Sequence, residues 1–297
     1  MEGVTRLSYD QSNVSELEDE VGITIKQTVS QGLNNGGVVA FRIPPDSQRF
    51  SDLSSIFLRV EYSIKQADGT TDTTADNKVM LEPGGMHSFF ASCNVKFNEQ
   101  TVSDMTAYPF TAALCRYLGI SKNMREGLWD ELDGSWPTLS LIKTGTVDVT
   151  DARFGKPLST NIGNQVLMGK IQSDVLNSCR QLLPPGISLD IELRRANDTF
   201  SLLSNKAQTT TFNIMLSSVS LYMRRLRLAP QLHSKIIEDV KSRAFLQFNR
   251  LETRIMSIKA TSRVFRWLDC LNGAPLPNRM YIGLVSQVAV FGLSLIH

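Results

Sequence analysis

The chain has 297 residues, and its 31 lysines and arginines against 29 acidic residues give a formal net charge of +2. So balanced a charge gives no reason to expect non-specific binding to nucleic acid or to an anionic membrane. The 4 cysteines are scattered without a C-x-x-C pair, and the chain has only 3 histidines. This composition disfavours a zinc site and a disulfide scaffold, and it predicts buried, reduced thiols in a reducing compartment.

The N-terminal region is polar and acidic and ends in a stretch rich in glycine and asparagine. We expect residues 1–36 to form a flexible acidic arm, either a disordered tail or an arm that reaches a neighbouring subunit. No apolar segment there has the length of a secretory signal, and the apolar run 285–296 is too short and too polar to span a bilayer. The sequence therefore predicts a protein that is not secreted and has no membrane partner.

Strands with one buried face are predicted from residue 38 onward. Residues 38–43 form a short predicted strand that Pro44 and Pro45 stop. Residues 58–64 alternate apolar with polar side chains, the period of a half-buried strand. Further strands are predicted at residues 95–98, 147–149 and 165–173.

One segment changes to helical spacing. From Phe110 to Leu118, apolar residues recur at intervals of three and four, which is typical of an amphipathic helix. Pro109 suits the first turn of a helix and Gly119 suits its end. The sequence therefore predicts one helix over residues 108–118.

Two longer strands close this β region. In the first, Leu189, Ile191 and Leu193 alternate with charged residues. In the second, which begins at residue 212, the apolar residues change from even to odd positions. A slip of one residue turns every side chain to the other face, so we predict a β-bulge near Ser217 and Ser218. Pro230 then ends the strand.

The composition changes after Pro230. Residues 231–249 form a polar connector, with one or two helical turns expected. Apolar residues then resume at Leu251, Ile255 and Ile258, which predicts the start of a second set of strands.

No catalytic motif is present: the chain has no nucleophile elbow, zinc-protease helix, phosphate loop or dinucleotide fingerprint. We therefore predict no catalytic residues, no cofactor, no metal and no enzymatic activity. His87 has apolar neighbours and is interpreted as a core or turn histidine. The acidic stretch 130–133 lacks the spacing of a calcium loop. A hydrolase on a β scaffold would depend on His87 and Asp148 alone.

Basic residues concentrate in two short stretches. They are Arg194, Arg195, Arg224, Arg225 and Arg227. One interpretation is a phosphate-contacting patch, and the favoured one is a set of arginines beside an inter-barrel or subunit boundary. Because no aromatic residues are interleaved, single-stranded nucleic acid is not expected to stack there, and no specific nucleic-acid partner is predicted.

Several short features, taken in order, resemble one protein family. They are residues 41–44, 58–64, 81–95, 182–194, 198–202, 219–230, 250–258 and 276–285. In this order they look like the double jelly-roll major capsid protein of adintoviruses and Maverick–Polinton-like elements, which also occurs as uncharacterised copies in invertebrate genomes. The resemblance extends over nearly all of residues 38–292 and rests on order and spacing.

The resemblance implies a mainly all-β fold. It implies an antiparallel β-sandwich jelly roll with one short inserted helix over residues 37–230, the connector 231–249, and the incomplete start of a second jelly roll over 250–297. A truncated gene model or a decaying endogenous viral element would explain that incomplete barrel.

The same resemblance implies a structural function. The expected protein is the major capsid subunit of a DNA virus or endogenous virus-like element, or a fragment of one. It would associate with itself as a homotrimeric capsomer and with other capsid proteins. Its expected location is the virion and the inside of the host cell, in nucleus or cytoplasm.

Short alternating strands, one amphipathic helix and long polar loops are also typical of a jelly roll without reference to any family. That pattern leaves a second function open, a jelly-roll module that binds a carbohydrate or protein ligand in its loops. Trp129 and Trp136 are the two loop aromatics that favour it.

Overall fold

The computed structural model describes residues 17–28, 37–73, 79–81, 85–119, 163–204, 212–243, 246–256 and 277–283. Its strands are β1 (Leu17–Thr28), β2 (Val38–Ile43), β3 (Arg49–Gln66), β4 (Val79–Leu81), β5 (Phe90–Phe97), β6 (Gln100–Met105), β7 (Gln165–Gly169), β8 (Leu189–Arg195), β9 (Leu202–Ser204) and β10 (Phe212–Leu228). Its helices are α1 (Tyr108–Gly119), α2 (Asp174–Ser178), α3 (Asp198–Ser201) and α4 (Pro230–Arg243), with a 3-10 turn at Gly85–Phe89.

Eight of these strands form two four-stranded antiparallel sheets. The first has the order β1-β10-β3-β7 and the second the order β2-β8-β5-β6. The chain moves from one sheet to the other after β1, β2, β3, β6, β7 and β8, and β4 pairs with β9 in a separate short ribbon. Two antiparallel sheets between which the chain crosses repeatedly form a jelly-roll β-sandwich. The predicted fold class is therefore confirmed.

The core lies between the two sheets, and β2 shows how the sequence produces it. Phe41 and Ile43 are each 1% exposed, whereas Val38, only a few residues away, is 50% exposed. Full burial of such a side chain stabilises the fold by about 1.5–3 kcal/mol relative to exposure. Strict alternation therefore fixes which face of each strand turns inward.

Most of the predicted elements are confirmed. β2 has the predicted bounds, the predicted helix is α1, and the 95–98 strand is part of the β5–β6 hairpin. The register of β10 against β3 shifts between Leu216 and Ser218, where the bulge was predicted, and shifts again between Tyr222 and Arg224. The predicted strand 58–64 is part of the longer β3, because β10 pairs with β3 over residues 49–52 as well as 57–66.

The flexible arm predicted over residues 1–36 is wrong for residues 17–28. These residues form β1, the edge strand of the first sheet, which pairs with β10 from Thr28 opposite Ser218 to Leu17 opposite Leu228. An acidic sequence favoured a solvated arm, but the pairing offered by a long neighbouring strand outweighs such a local preference. Residues 1–16 and 29–36 lie outside the described residues.

The connector contains more helix than expected. α4 has 14 residues and begins at Pro230, a position where proline's missing N–H has no consequence. Leu232 packs with Phe50 and Leu228 in a small second core, and this burial stabilises the helix against the sandwich.

Residues 246–256 and 277–283 contain no strand or helix, so the strand predicted to begin at Leu251 is absent over 251–256. The remainder of the predicted second jelly roll, the predicted strand 147–149 and the acidic stretch 130–133 lie outside the described residues.

The β5–β6 hairpin provides a test of backbone strain. Its two turn residues, Asn98 and Glu99, have φ of 47° and 67°. Glycine adopts positive φ without steric cost, and Asn-Gly is the preferred pair for such a turn. We expect Glu99→Gly to raise the free energy of unfolding, measured in urea, by about 1 kcal/mol.

Glu99→Ala is the matched control. Both substitutions remove the exposed ion pair between Glu99 and Arg42, in which the nitrogen and oxygen are 2.9 Å apart, but alanine keeps the Cβ atom. An equal change in both variants would show that the turn conformation is not the cause.

Candidate interaction surfaces

The five arginines of the predicted basic patch do not share one surface. Arg194 and Arg195 end β8, in the second sheet, and the other three lie near the end of β10, in the first. Arg195 contacts Ile214, near the start of β10, so about 36 Å of strand separates it from Arg225. The prediction of a single patch is therefore wrong, because the two stretches lie at opposite ends of the sandwich.

Arg195 is part of the interior, with 2% of its surface exposed. Its Nη2 donates to Asp198 Oδ1 at 2.8 Å, and its Nη1 donates to the carbonyl of Phe89 at 2.9 Å. The Asp198 carboxylate also accepts the N–H of Ile214 at 3.2 Å. Burial lowers the pKa of Arg195 and raises the pKa of Asp198, and each charge opposes the shift of the other. This guanidinium holds α3 and two strands together and cannot reach a ligand.

Arg224 and Arg225 are also engaged within the chain. Arg225 is 8% exposed; its Nη2 donates to the carbonyl of Pro44 at 2.6 Å, and its Nη1 lies 3.5 Å from a carboxylate oxygen of Asp46. Arg224 Nη2 donates to Asp52 Oδ2 at 2.7 Å. Of the predicted set, Arg194 is exposed and Arg227 is half-buried.

His87 is a core histidine, as predicted. It is 1% exposed, and its Nδ1 is 2.8 Å from the hydroxyl oxygen of Tyr108, at the start of α1. The same hydroxyl accepts the N–H of Gln172 at 3.3 Å. Asp148, the second residue of the hydrolase alternative, lies outside the described residues.

After α4 the chain returns to the jelly roll as a segment without helix or strand, residues 246–253, which we call the strap. Three of its N–H groups, at alternate residues, donate to side chains of α2 and of the loop that follows it. The bonds are Gln247 to Gln181 Oε1 at 2.8 Å, Asn249 to Ser178 Oγ at 2.8 Å, and Leu251 to Asp174 Oδ2 at 3.3 Å.

Apolar and side-chain contacts complete the attachment of the strap. Leu246 and Phe248 pack against the main core of the sandwich. At the other end, the hydroxyl oxygens of Thr253 and Thr111, which is in α1, are 2.7 Å apart. Among the described residues, the strap is therefore bound to the jelly roll along its length by contacts other than backbone pairing.

Exposed apolar side chains concentrate beyond the sandwich. Ile255 is 56% exposed and Met256 40%, and Met280, Tyr281 and Ile282 are 46–63% exposed. An open cavity of about 420 Å³ lies between the end of the strap and the turn before α1. Its lining residues are Thr106, Ala107, Thr253, Arg254, Ile255 and Met256.

The strap and its partners were not predicted from the sequence. The alternation of Leu246 and Phe248 with Gln247 and Asn249 was a signal for an extended segment. Nothing in the sequence indicated the acceptors, because only the folded chain brings the short helix and the loop side chain to the strap.

The described residues contain no group of three or more His, Cys, Asp or Glu side chains placed to hold a metal ion. Among these residues, none of the helices is both long and apolar enough to cross a membrane. Cys93 and Cys179 are buried free thiols, as predicted, and burial raises the pKa of Cys93 to about 12. Cys115 is a half-buried free thiol, and Cys270 lies outside the described residues.

Comparison with known proteins gives no matching family model and no matching curated protein. Similar solved structures include VP54 of the virus PBCV-1, with 8% identity, TM-score 0.45, and coverage of 77% of this chain and 47% of that one. A chain of the Sputnik virophage has 14% identity, TM-score 0.46, and coverage of 75% and 50%. The Faustovirus major capsid protein has 11% identity, TM-score 0.45, and coverage of 80% and 59%.

This chain thus spans about half the length of the solved chains that it matches. The jelly-roll assignment itself rests on the strand order and the pairing within the two sheets.

The buried ion pair provides a second test. We expect Asp198→Ala to lower the free energy of unfolding by about 3–5 kcal/mol, because it leaves the guanidinium of Arg195 buried without its counter-charge. As control, Glu252→Ala removes the exposed partner of Arg254 and should change stability by less than about 1 kcal/mol. Chemical denaturation measures both values.

The double variant Arg195→Met with Asp198→Leu tests whether the loss of stability comes from the unpaired charge or from the change in side-chain shape. With no charge left unpaired, we expect it to recover most of the stability that Asp198→Ala loses. A small loss in Asp198→Ala, equal to that of the control, would contradict the structural role of this pair.

Proposed function

We propose that this chain is a structural protein, a subunit of a viral or endogenous virus-like capsid that acts by associating with itself. The observation that carries the proposal is a jelly roll with all eight sandwich strands in place, followed by a segment with several exposed apolar side chains. Jelly rolls are a recurrent architecture of viral capsid subunits. The protein would then act through its shape and its surface contacts, without a catalytic step.

The exposed apolar side chains support self-association. Ile255 and Met256 lie side by side at the end of the strap, next to an open cavity. Monomeric soluble proteins rarely leave large contiguous apolar patches in water, and such patches commonly mark contacts between proteins. Contact with another subunit would remove these side chains from water.

The order of the sequence features supports the finer proposal. We propose a double jelly-roll major capsid protein of the adintovirus or Maverick–Polinton-like type, assembled as a homotrimer with other capsid proteins in the virion. Within this proposal Arg194, which is exposed on β8, is the arginine of the predicted set best placed for an inter-subunit boundary. The ligand-binding alternative depends on Trp129 and Trp136, which lie outside the described residues.

Light scattering coupled to size-exclusion chromatography tests self-association. We expect oligomers whose fraction rises with protein concentration, with a trimer among them. The double variant Ile255→Asp with Met256→Asp should weaken association at least tenfold, which corresponds to about 1.4 kcal/mol, because it places charge on the apolar surface.

Val166→Asp is the matched control. Val166 is 47% exposed on β7, in the other sheet from Arg194, so the substitution adds a charge at an exposed apolar site outside the strap. Circular dichroism would verify that each variant is folded. A wild-type chain that stays monomeric at its highest soluble concentration would contradict the proposed function.

A further inference from the structure

The spacing of the bonded N–H groups along the strap matches the spacing of the side chains that accept their hydrogen bonds. Asp174 and Ser178 are four residues apart in α2, a rise of about 6.0 Å in an α-helix. Leu251 and Asn249, which they bind, are two residues apart, a rise of about 6.6 Å in an extended chain. Because the two distances agree, an extended backbone running opposite to α2 brings successive alternate N–H groups to successive acceptors.

Gln181 continues the same pattern. It follows α2 by three residues, and its side-chain oxygen accepts the N–H of Gln247, the next alternate residue of the strap. Asp174, Ser178 and Gln181 together form what we call the docking strip. Asp174 is held in place by its own partners, since its Oδ1 accepts the N–H of Val175 at 2.7 Å and the hydroxyl of Ser103.

The docking strip binds the backbone of the strap, and the main core of the sandwich contacts its apolar side chains. The three acceptors bind N–H groups, which every residue except proline carries, so these bonds do not select a sequence. Leu246 and Phe248 pack against the main core, and these apolar contacts do select a sequence. The surface therefore fits an extended peptide with apolar residues at alternate positions.

Release of the strap would break few contacts. Among the described residues, the strap belongs to neither sheet, so its departure breaks side-chain bonds and uncovers two apolar side chains without opening a strand pair. The same contacts can form between two copies, because an exchanged segment meets the same partners in each subunit.

We propose that the docking strip binds the strap of a second copy, so that neighbouring subunits exchange this segment. The inference rests on the proposed function, since it requires self-association, and it names the surface that joins the copies. Ile255 and Met256 come shortly after the strap and remain exposed, beside a cavity that Ala107 also lines, when the strap binds its own jelly roll. Exchange places this apolar end between two subunits, where it can be covered.

Thr111 and Thr253 provide a direct test, because their hydroxyl oxygens are 2.7 Å apart across the attachment. One chain carries Thr111→Cys, and a second chain with a distinguishing tag carries Thr253→Cys. Both chains also carry Cys115→Ser and Cys270→Ser, which leaves the buried Cys93 and Cys179. The chains are mixed, oxidised mildly and separated on a non-reducing gel.

The expected result is a disulfide-linked heterodimer that forms in the mixture. A single chain with both new cysteines shows whether the two positions bridge. Asn249→Pro in the Thr253→Cys chain removes the central N–H of the strap and should lower the heterodimer yield at least fivefold. Asn249→Ala, which keeps that N–H, should leave the yield unchanged.

The outcomes separate this inference from the proposed function. Oligomers in light scattering without heterodimers, while the two-cysteine chain bridges internally, would overturn exchange and leave the capsid proposal standing. Monomers in light scattering would overturn both. Heterodimers that form equally well with Asn249→Pro would overturn the docking strip, because the cross-link would then not depend on its bonds.

Discussion

The antiparallel pairing of β10 with β3 is the constraint on which the rest of the fold depends. β10 also pairs with β1 on its other side, so one strand of 17 residues determines the register of most of the first sheet. Its register shift between Leu216 and Ser218 brings Ile214 before the bulge and Val219 after it to the same buried face. Without that shift, half of the strand would turn its apolar side chains to water.

Two buried arginines connect the ends of this strand to the rest of the sandwich. Arg195 comes from the second sheet and donates to a carbonyl near the start of β10. Arg225 lies near the end of β10 and donates to the carbonyl of Pro44, which follows a strand of the second sheet. A guanidinium has five donors, so it can bind backbone oxygens where the sheets have no further pairing partners. The arginines thus act between the sheets, not toward a ligand.

Much of the fold could be predicted from the sequence, because alternation reports directly on burial. The prediction for the arginines failed although the sequence held a signal against it. Arg195 continues the phase of Leu189, Ile191 and Leu193, all of which are buried, and Arg225 continues the buried phase of β10. Charge alone suggested an exposed patch, whereas position along the strand indicated the interior.

Two further features were missed for different reasons. β1 pairs with the open edge of β10, and its sequence held a signal, since Val21, Ile23 and Ile25 stand at alternate positions, but the acidic run before them favoured a solvated arm. The strap is bound through its backbone N–H groups, which are the same for every residue type except proline. Its attachment therefore follows from the position of α2 in the folded protein, and no sequence motif could have predicted it.

The arrangement of strand edges indicates which routes of association the fold leaves open. Within the described residues, the outer strands are β1 and β7 in one sheet and β2 and β6 in the other. β2, β6 and β7 have 5 or 6 residues, and such short edges offer little for another chain to pair with. β1, with 12 residues, is the one long edge among these four strands. At the three short edges, contacts between copies would involve surface side chains more than sheet extension. In the proposed assembly, the docking strip would bind an extended backbone without adding a strand, and the exposed apolar residues that follow the strap favour this surface as the site of subunit contact.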